Sequence, residues 1–300
     1  MIGRRSAAAV FVAATLLTLI FGGCAAGAQG RTPLPAGGTA GEVPHDIQHV
    51  VVVVEENHSF SDIIGRPDAP YINSIAAGGA LFTEAYGVEH PSQPNYLDLF
   101  SGSNQGITDD SCPHTFSAPN LAHSLLQAGL TFVGYGEELP SPGYTGCTYG
   151  TADGYWRKHN PWVDFSNVPT EVNQPWTAFP AQYADLPAVS FVIPNQGHDM
   201  HNGTIRQGDD WLRGNLGGYA AWAPSHHALL VITWDESEGS AGNHIPLIIT
   251  GADVVAGTYS AVVNHYSLLR TLTDLFGLEP IGKSSTVGPI VGIWQGAPGN

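Results

Sequence analysis

Three apolar, strand-like runs in this sequence are each followed at once by carboxylate, amide or imidazole side chains. The runs cover residues 49–54, 188–193 and 228–233, and the segments that follow them are Glu-Glu-Asn-His at 55–58, Pro-Asn-Gln-Gly-His-Asp-Met-His at 194–201 and Trp-Asp-Glu at 234–236. In open α/β sheets the ligand lies outside the carboxyl ends of parallel strands. Carboxylates and imidazoles at those ends are what a metal-assisted hydrolase requires. The sequence therefore predicts a hydrolytic metal site at one edge of a parallel sheet.

Two further apolar runs, at 130–135 and 245–250, alternate along the chain with helical patterns. Helices are predicted at 71–77, at 96–100 with its flanks, and at 120–128, 211–223 and 266–276. Most runs are apolar nearly throughout, so the pattern predicts an α/β fold with a mostly parallel sheet and helices on both faces. The stretch 136–187, rich in Trp, Tyr, Gly and Pro, breaks the pattern. We interpret residues 136–187 as an ordered, aromatic-rich segment, the aromatic excursion, that lies over the edge of the sheet where the site is predicted. Its role is either that of a lid or ordinary loop packing.

The first 24 residues have the three parts of a secretory signal peptide. Arg4 and Arg5 precede an apolar run and then small residues that end at Cys24. The run is about 15 residues long against the roughly 20 that a membrane span needs, with an uncleaved anchor as the alternative. Cys24 also resembles a bacterial lipoprotein cleavage site, so we expect a protein secreted or lipid-anchored at the bacterial cell envelope. Residues 25–44 then predict a flexible linker, and residues 45–300 a single catalytic domain.

The chain is strongly acidic, with 26 Asp and Glu against 10 Lys and Arg and a formal net charge of −16. Such a surface repels nucleic acid and anionic membranes, so neither is an expected partner. It also repels phosphate groups, unless a metal ion or some of the 13 histidines supply positive charge in the cleft. Because histidines gain charge as the pH falls, an enzyme that relies on them would favour acidic conditions. A monomer is expected.

Cys112 and Cys147 are the only cysteines after the predicted signal peptide. An even pair in an oxidising compartment is most simply a disulfide, and closing this loop would stabilise the fold by roughly 3–4 kcal/mol. The alternative, a thiolate nucleophile, is disfavoured because neither cysteine lies at a strand end or where a helix begins.

The candidate metal ligands follow two distant strands. Glu56 and Asn57 come after the first, and Asp235 and Glu236 after the run at 228–233. Glu55 should point to the opposite side in extended geometry. Carboxylate and amide oxygens suit a single divalent cation, with Ca²⁺ favoured and Mg²⁺ or Mn²⁺ as alternatives. Taken alone, Glu56 and Asn57 could equally be a solvated side chain and a turn cap.

Residues 90–97, His-Pro-Ser-Gln-Pro-Asn-Tyr-Leu, are typical of a turn that opens a helix. Ser92 fits an N-cap and Pro94 the first turn. A serine at a helix N-terminus beside a divalent cation could also attack phosphorus, and the spacing does not decide between these roles. His198 and His201 follow the run at 188–193, where an imidazole could protonate a departing alkoxide or bind phosphoryl oxygens.

Five segments together resemble the bacterial and fungal phosphoesterase family that joins acid phosphatases to phospholipases C, and within it the mycobacterial acid phosphatases. They lie at 53–59, 90–97, 190–195, 199–203 and 233–236, and the likeness extends over about 47–277. The resemblance implies a three-layer, alkaline-phosphatase-like α/β fold with a metal-bound hydroxyl nucleophile. It places Ser92 as the nucleophile and His201 near the phosphoryl group, and it matches Glu56, Asn57, Asp235 and Glu236 to the metal positions.

The resulting hypothesis is a secreted, metal-dependent phosphatase that hydrolyses phosphomonoesters through a phosphoserine at Ser92. Its substrate is expected to be a phosphorylated small molecule or a lipid headgroup, bound with the help of Asn95, His198 and Asp199. Two alternatives stay open: a phosphodiesterase of the phospholipase C type, and a surface lipoprotein that binds metal or phosphate without turnover.

Overall fold

The computed structural model describes residues 43–239 and 242–295. The predicted signal peptide at 1–24 and nearly all of the predicted linker at 25–44 lie outside the described residues, so both stay predictions. Within the described ranges, no helix combines the length and the apolar character that crossing a membrane requires.

Strands and helices alternate through most of the domain. In chain order the strands are β1 (His49–Glu55), β2 (Ala80–Phe82), β3 (Ala85–Tyr86), β4 (Phe132–Gly136), β5 (Thr148–Tyr149), β6 (Tyr155–Trp156), β7 (Asn173–Pro175), β8 (Val189–Ile193), β9 (Ala228–Trp234), β10 (Leu247–Gly251), β11 (Gly257–Tyr259) and β12 (Val263–Asn264). The α-helices are α1 (Phe60–Ile63), α2 (Pro70–Gly78), α3 (Ser92–Ser101), α4 (Leu121–Gln127), α5 (Ile205–Trp222) and α6 (His265–Leu275).

The central sheet has eight strands in the order β11-β2-β10-β9-β1-β8-β4-β7. The strands β9, β1, β8, β4 and β7 run parallel, whereas β10 is antiparallel to β9. β1 lies between β9 and β8, and its five consecutive valines, 50–54, are all fully buried because both faces of the sheet are covered. The predicted α/β fold with a mostly parallel sheet is confirmed.

Two pairs of helices cover the sheet. Helix α3 packs against α6, and α2 packs against α5. At the end of β1, Glu56 bonds to residues of α3, while the charge of Asp209 on α5 acts on Glu55. Because successive strand residues point to opposite faces, the two helix pairs lie on opposite sides of the sheet. This is the predicted three-layer arrangement, and Glu55 points away from Glu56 as predicted.

The aromatic stretch after β4 is an ordered excursion fixed by a few strong contacts. The predicted disulfide between Cys112 and Cys147 is formed. Arg157 bonds to the carboxylate of Asp164 at 2.9 Å and to three backbone carbonyls, two inside the excursion and one of His114, which precedes it. The indole ring of Trp162 packs where a side chain at position 134 would lie, only 2.1 Å from a Cβ built on Gly134. The excursion is thereby held against the parallel sheet.

Candidate active site

The carboxyl ends of β1, β8 and β9 bring together side chains that are far apart in the sequence. The backbone N–H of Glu56, just after β1, donates to the carbonyl of Asp199 at 2.8 Å. The N–H of Asn57 donates to Asp235 Oδ1 at 3.1 Å, and the N–H of Asp235 to the carbonyl of Glu55 at 3.0 Å. The three loops after these strands therefore form one continuous site, as the strand pattern predicted.

Ser92 is the first residue of α3 and is almost fully buried. Its Oγ lies 3.0 Å from Glu56 Oε2 and 3.3 Å from Glu236 Oε1. The N-cap is Pro91, so the prediction that Ser92 caps the helix is wrong by one residue. The hydroxyl contacts the two carboxylates and makes no capping bond, because the helix begins one residue earlier than the cap motif suggests.

Glu56, His159 and Asp199 form a compact buried cluster whose possible ligand atoms all lie within 4.8 Å of one another. Glu56 Oε1 is 3.1 Å from His159 Nε2, and His159 Nδ1 is 3.7 Å from Asp199 Oδ2. The same Oε1 accepts a bond of 2.6 Å from the hydroxyl of Tyr96. Glu56 thus connects the cluster to Ser92, whose hydroxyl is bonded to its other oxygen.

Among the described residues, three buried carboxylate oxygens of this site accept no hydrogen bond: Asp199 Oδ2, Asp235 Oδ2 and Glu236 Oε2. Two of them have a histidine nitrogen nearby, Asp199 Oδ2 that of His159 and Glu236 Oε2 that of His90. A buried anion without a partner is costly, and paired or metal-bound carboxylates avoid that cost. Several carboxylates with one imidazole are a donor set that fits a divalent cation, with oxygen-rich character suited to Ca²⁺, Mg²⁺ or Mn²⁺. The residues present therefore fit a metal ion.

Burial controls the protonation of these groups. It raises the pKa of the Glu56 carboxyl well above its ordinary value, and the nearby charge of Asp199 raises that pKa further. Burial also raises the pKa of Asp199 and of Asp235. In contrast, burial lowers the pKa of His159 well below its ordinary value, and the charge of Lys158 lowers it further. Without a cation, the ionised cluster destabilises the fold.

The pKa shifts in this cluster predict how the stability of the metal-free protein depends on pH. When folding raises the pKa of a carboxyl group, that group lowers the free energy of unfolding as the pH rises. The loss takes place between the pKa of the group in the unfolded chain and its pKa in the folded protein. Histidines held neutral, His159 and also His265 with its pKa of about 4, cost stability only below about pH 6.5. Above that pH we expect the free energy of unfolding of the metal-free protein to fall by up to about 1.4 kcal/mol per pH unit for each proton retained, and the melting temperature to fall with it.

Scanning calorimetry between pH 6.5 and 8 in chelator, repeated with saturating divalent cation, checks this expectation. The cation should flatten the curve, because it lowers the carboxyl pKa values and removes the proton linkage. A melting temperature that rises with pH in chelator, or an unchanged slope with the ion, would contradict it.

The other residues predicted for this site have different surroundings. Asn57 has a φ of 51°, a left-handed conformation that asparagine tolerates. The side-chain oxygen of Asn95 accepts from the N–H groups of Val88 and Glu89, and its amide donates to the carbonyls of Glu89 and Pro91. Asn95 is fully buried, and these four bonds occupy both its side-chain oxygen and its amide group. It therefore holds the loop before α3 in place and has no free polar group for a substrate.

His198 and His201 lie toward the surface of the site. His198 Nδ1 is 2.9 Å from a carboxylate oxygen of Glu137, and its ring stacks on Trp211. His201 is exposed, although its backbone N–H donates to Asp199 Oδ1 at 2.8 Å. Between them Met200 is buried with a φ of 78°, a strained conformation for this residue type. The strained turn places Asp199 inside the site and His201 at its rim.

Sequence reasoning missed three residues that the structure places here: His90, Lys158 and His159. His90 Nδ1 contacts Glu236 Oε2. Lys158 and His159 lie in a 3₁₀ turn, Arg157–His159, inside the aromatic excursion. The sequence did contain one indication of their importance. Residues 157–159 are three consecutive basic residues, which is unusual in a chain with only 10 Lys and Arg. The excursion has no regular period, so nothing in the pattern pointed these residues toward the strand ends.

Comparison with known proteins agrees with this geometry. The sequence profile of the Phosphoesterase family matches residues 65–279, a range that begins just after Glu56 and Asn57. The chain is 49% identical over 264 residues to the phosphatidylinositol-3-phosphatase of Mycobacterium tuberculosis, with 87% of each chain covered. It is 30% identical over 253 residues to an acid phosphatase of Aspergillus fumigatus, covering 76% of this chain and 54% of that one. The chain thus spans about half the length of this fungal relative.

Solved structures share the fold at low sequence identity. A protein of the alkaline phosphatase superfamily from Vibrio parahaemolyticus superposes with a TM-score of 0.57 at 12% identity, over 84% of this chain and 73% of that one. The phosphonate monoester hydrolase of Agrobacterium radiobacter gives a TM-score of 0.54 at 14% identity, over 78% and 74%. These likenesses establish an alkaline-phosphatase-like architecture for the domain.

Proposed function

Because the chain belongs to the Phosphoesterase family, we propose that it is a metal-dependent phosphatase that hydrolyses phosphomonoesters with Ser92 as the nucleophile. The observation that carries the proposal is the position of Ser92 Oγ, 3.0 Å from Glu56 and beside a buried cluster that fits a cation. The names of the relatives, a phosphatidylinositol-3-phosphatase and acid phosphatases, support a phosphoric monoester as the substrate.

The ion would be held by residues of the three converging loops. Glu56, Asp199 and His159 form the closest set, and Asp235 lies near enough for its charge to act on Glu56. The sequence-based set of Glu56, Asn57, Asp235 and Glu236 shares only Glu56 with this cluster. When bound, a divalent cation would polarise a phosphoryl oxygen and favour ionisation of the Ser92 hydroxyl. Ca²⁺, Mg²⁺ and Mn²⁺ all suit the donor set.

The protein's own groups supply the proton transfers. The Ser92 hydroxyl faces Glu56 and Glu236, so these carboxylates can take its proton as Oγ bonds to phosphorus. The ester bond to the leaving alcohol breaks in the same step, and we assign protonation of that alcohol to His201, which is exposed at the rim. Water then attacks phosphorus and gives its proton to His201, while the bond from phosphorus to Ser92 Oγ breaks and Ser92 takes its proton back from the carboxylate, so that phosphate is released.

Hydrolysis of p-nitrophenyl phosphate by residues 45–300 tests the proposal. We expect turnover that a chelator abolishes and that at least one of Ca²⁺, Mg²⁺ and Mn²⁺ restores. Turnover that survives exhaustive chelation would refute the metal requirement. Turnover of a phosphocholine diester without turnover of the monoester would instead favour the phospholipase C type of activity.

The predicted location outside the cytoplasm belongs to the same proposal. A disulfide between Cys112 and Cys147 is typical of proteins that fold in an oxidising compartment. Together with the signal-like sequence at 1–24, this supports secretion or lipid anchoring at the bacterial cell envelope.

A further inference from the structure

Lys158 is one of only two lysines in the chain, and it is almost fully buried beside the candidate site. Its Nζ donates to Asp110 Oδ2 at 2.8 Å. The other oxygen of Asp110 accepts from the backbone N–H of Gln93, the residue after Ser92, at 3.0 Å. Asp110 therefore ties the ammonium group to the first turn of the helix that carries the nucleophile.

The ammonium group keeps donors for a ligand. A lysine has three N–H donors, and the bond to Asp110 uses one of them. The face of Trp156 lies 5.8 Å from Nζ and adds a weak cation–π contact. The Asp110 side chain is one-third exposed, so solvent reaches the carboxylate end of the ion pair. Arg157, the neighbouring cation, already makes a bond with each of its three nitrogens.

The charge of Lys158 acts on two carboxylates of the cluster, Glu56 and Asp199. It is one of the nearby charges that lower the pKa of Glu56 and of Asp199, against the larger effect of burial. The site would otherwise hold four carboxylates, those of Glu56, Asp199, Asp235 and Glu236, around one divalent cation. A phosphomonoester adds a charge of roughly −1.5 to −2 at neutral pH, and one metal ion cannot balance this sum.

We propose that the Lys158 ammonium binds a non-bridging oxygen of the phosphoryl group and makes the site select dianionic phosphomonoesters over monoanionic phosphodiesters. This inference rests on the proposed phosphatase function. A diester has one negative charge fewer and carries a second alkyl or aryl group on the oxygen that Lys158 would bind. Lys158 therefore decides the class of phosphoester that is cleaved, while Ser92 and the metal ligands carry out the cleavage.

The test compares kcat/KM for p-nitrophenyl phosphate and bis(p-nitrophenyl) phosphate. In Lys158→Gln we expect the monoester value to fall by about 10²–10³-fold, as for loss of one donor to a developing oxyanion, and the diester value by less than about tenfold. Lys158→Arg should retain most of the selectivity, because it keeps the charge. The other lysine gives the matched control: Lys283 bonds to Tyr266 on α6, and Lys283→Gln should leave both values unchanged.

Binding of inorganic phosphate, measured by calorimetry in the presence of divalent cation, gives an independent readout. Wild type should bind phosphate at least tenfold more tightly than Lys158→Gln. If Lys158→Gln does not fold, the double variant Lys158→Gln with Asp110→Asn removes both members of the ion pair and carries the same comparisons.

The outcomes separate this inference from the proposed function. Equal losses on monoester and diester, or no loss on either, would overturn the role of Lys158 while leaving the phosphatase intact. A wild-type protein that cleaves neither ester would refute the phosphatase function. In that case the calorimetric comparison still decides whether Lys158 binds the phosphoryl group.

Discussion

Replacing Ser92 with alanine is expected to reduce kcat for p-nitrophenyl phosphate by about 10⁴-fold or more, since loss of a covalent nucleophile removes the entire two-step route. The binding surface for substrate should change little, because the hydroxyl is the only group removed and the helix begins with its cap at Pro91. A steady-state assay with metal present measures the effect.

Ser190 offers a matched control for that substitution. It is also fully buried, on β8, and its hydroxyl has no hydrogen-bond partner in the described part of the chain, so Ser190→Ala removes a comparable group away from the site. We expect Ser190→Ala to keep wild-type kcat. Substantial activity in Ser92→Ala would show that another group attacks phosphorus, and an equal loss in both variants would point to damage of the fold.

Replacing Glu56 with glutamine is expected to abolish the response of the protein to divalent cation. In wild type, an ion at 100 times its dissociation constant adds about 2.7 kcal/mol of stability. For a domain of this size that corresponds to a rise in melting temperature of about 5–10 °C. Glu56→Gln removes the carboxylate that joins the metal cluster to Ser92, so both the rise and the activity should be lost, the latter by about 10³-fold.

Glu55 is the control for Glu56, because it is the preceding residue, bears the same side chain and is equally buried. Its carboxylate lies on the other face of the sheet, near Glu137 and Asp209. Glu55→Gln should therefore retain the rise in melting temperature with added cation. An ion response that disappears in Glu55→Gln and persists in Glu56→Gln would place the metal on the opposite face and contradict the site described above.

Much of the fold was predictable because its strands are long and apolar. The five valines of β1 have no polar face, and such a run is stable only between two covering layers. The antiparallel direction of β10 was not predictable, since a buried strand has the same composition in either direction. The edge strands β7 and β11, and β2 beside β11, are three residues long, too short for a pattern to show.

The site residues that follow strands were predictable from the sequence. The site residues that come from the aromatic excursion were not. Glu56, Asp199 and Asp235 come after parallel strands, so the topology alone brings them together. His159 reaches the same place through an irregular segment held by Arg157 and by the Cys112–Cys147 bridge. Its position depends on these tertiary contacts, which no local pattern encodes.

Direct detection of the covalent intermediate tests the central claim most directly. Wild-type protein with metal is mixed with p-nitrophenyl phosphate and quenched during turnover in two portions, one in acid, which preserves phosphoserine, and one in alkali, which preserves phosphohistidine; both are digested for peptide mass mapping. We expect one added phosphoryl group on the peptide that contains Ser92, absent in Ser92→Ala and absent when chelator replaces the metal. A phosphoryl group on a histidine such as His90 or His159, or ongoing turnover with no phosphorylated peptide, would contradict it.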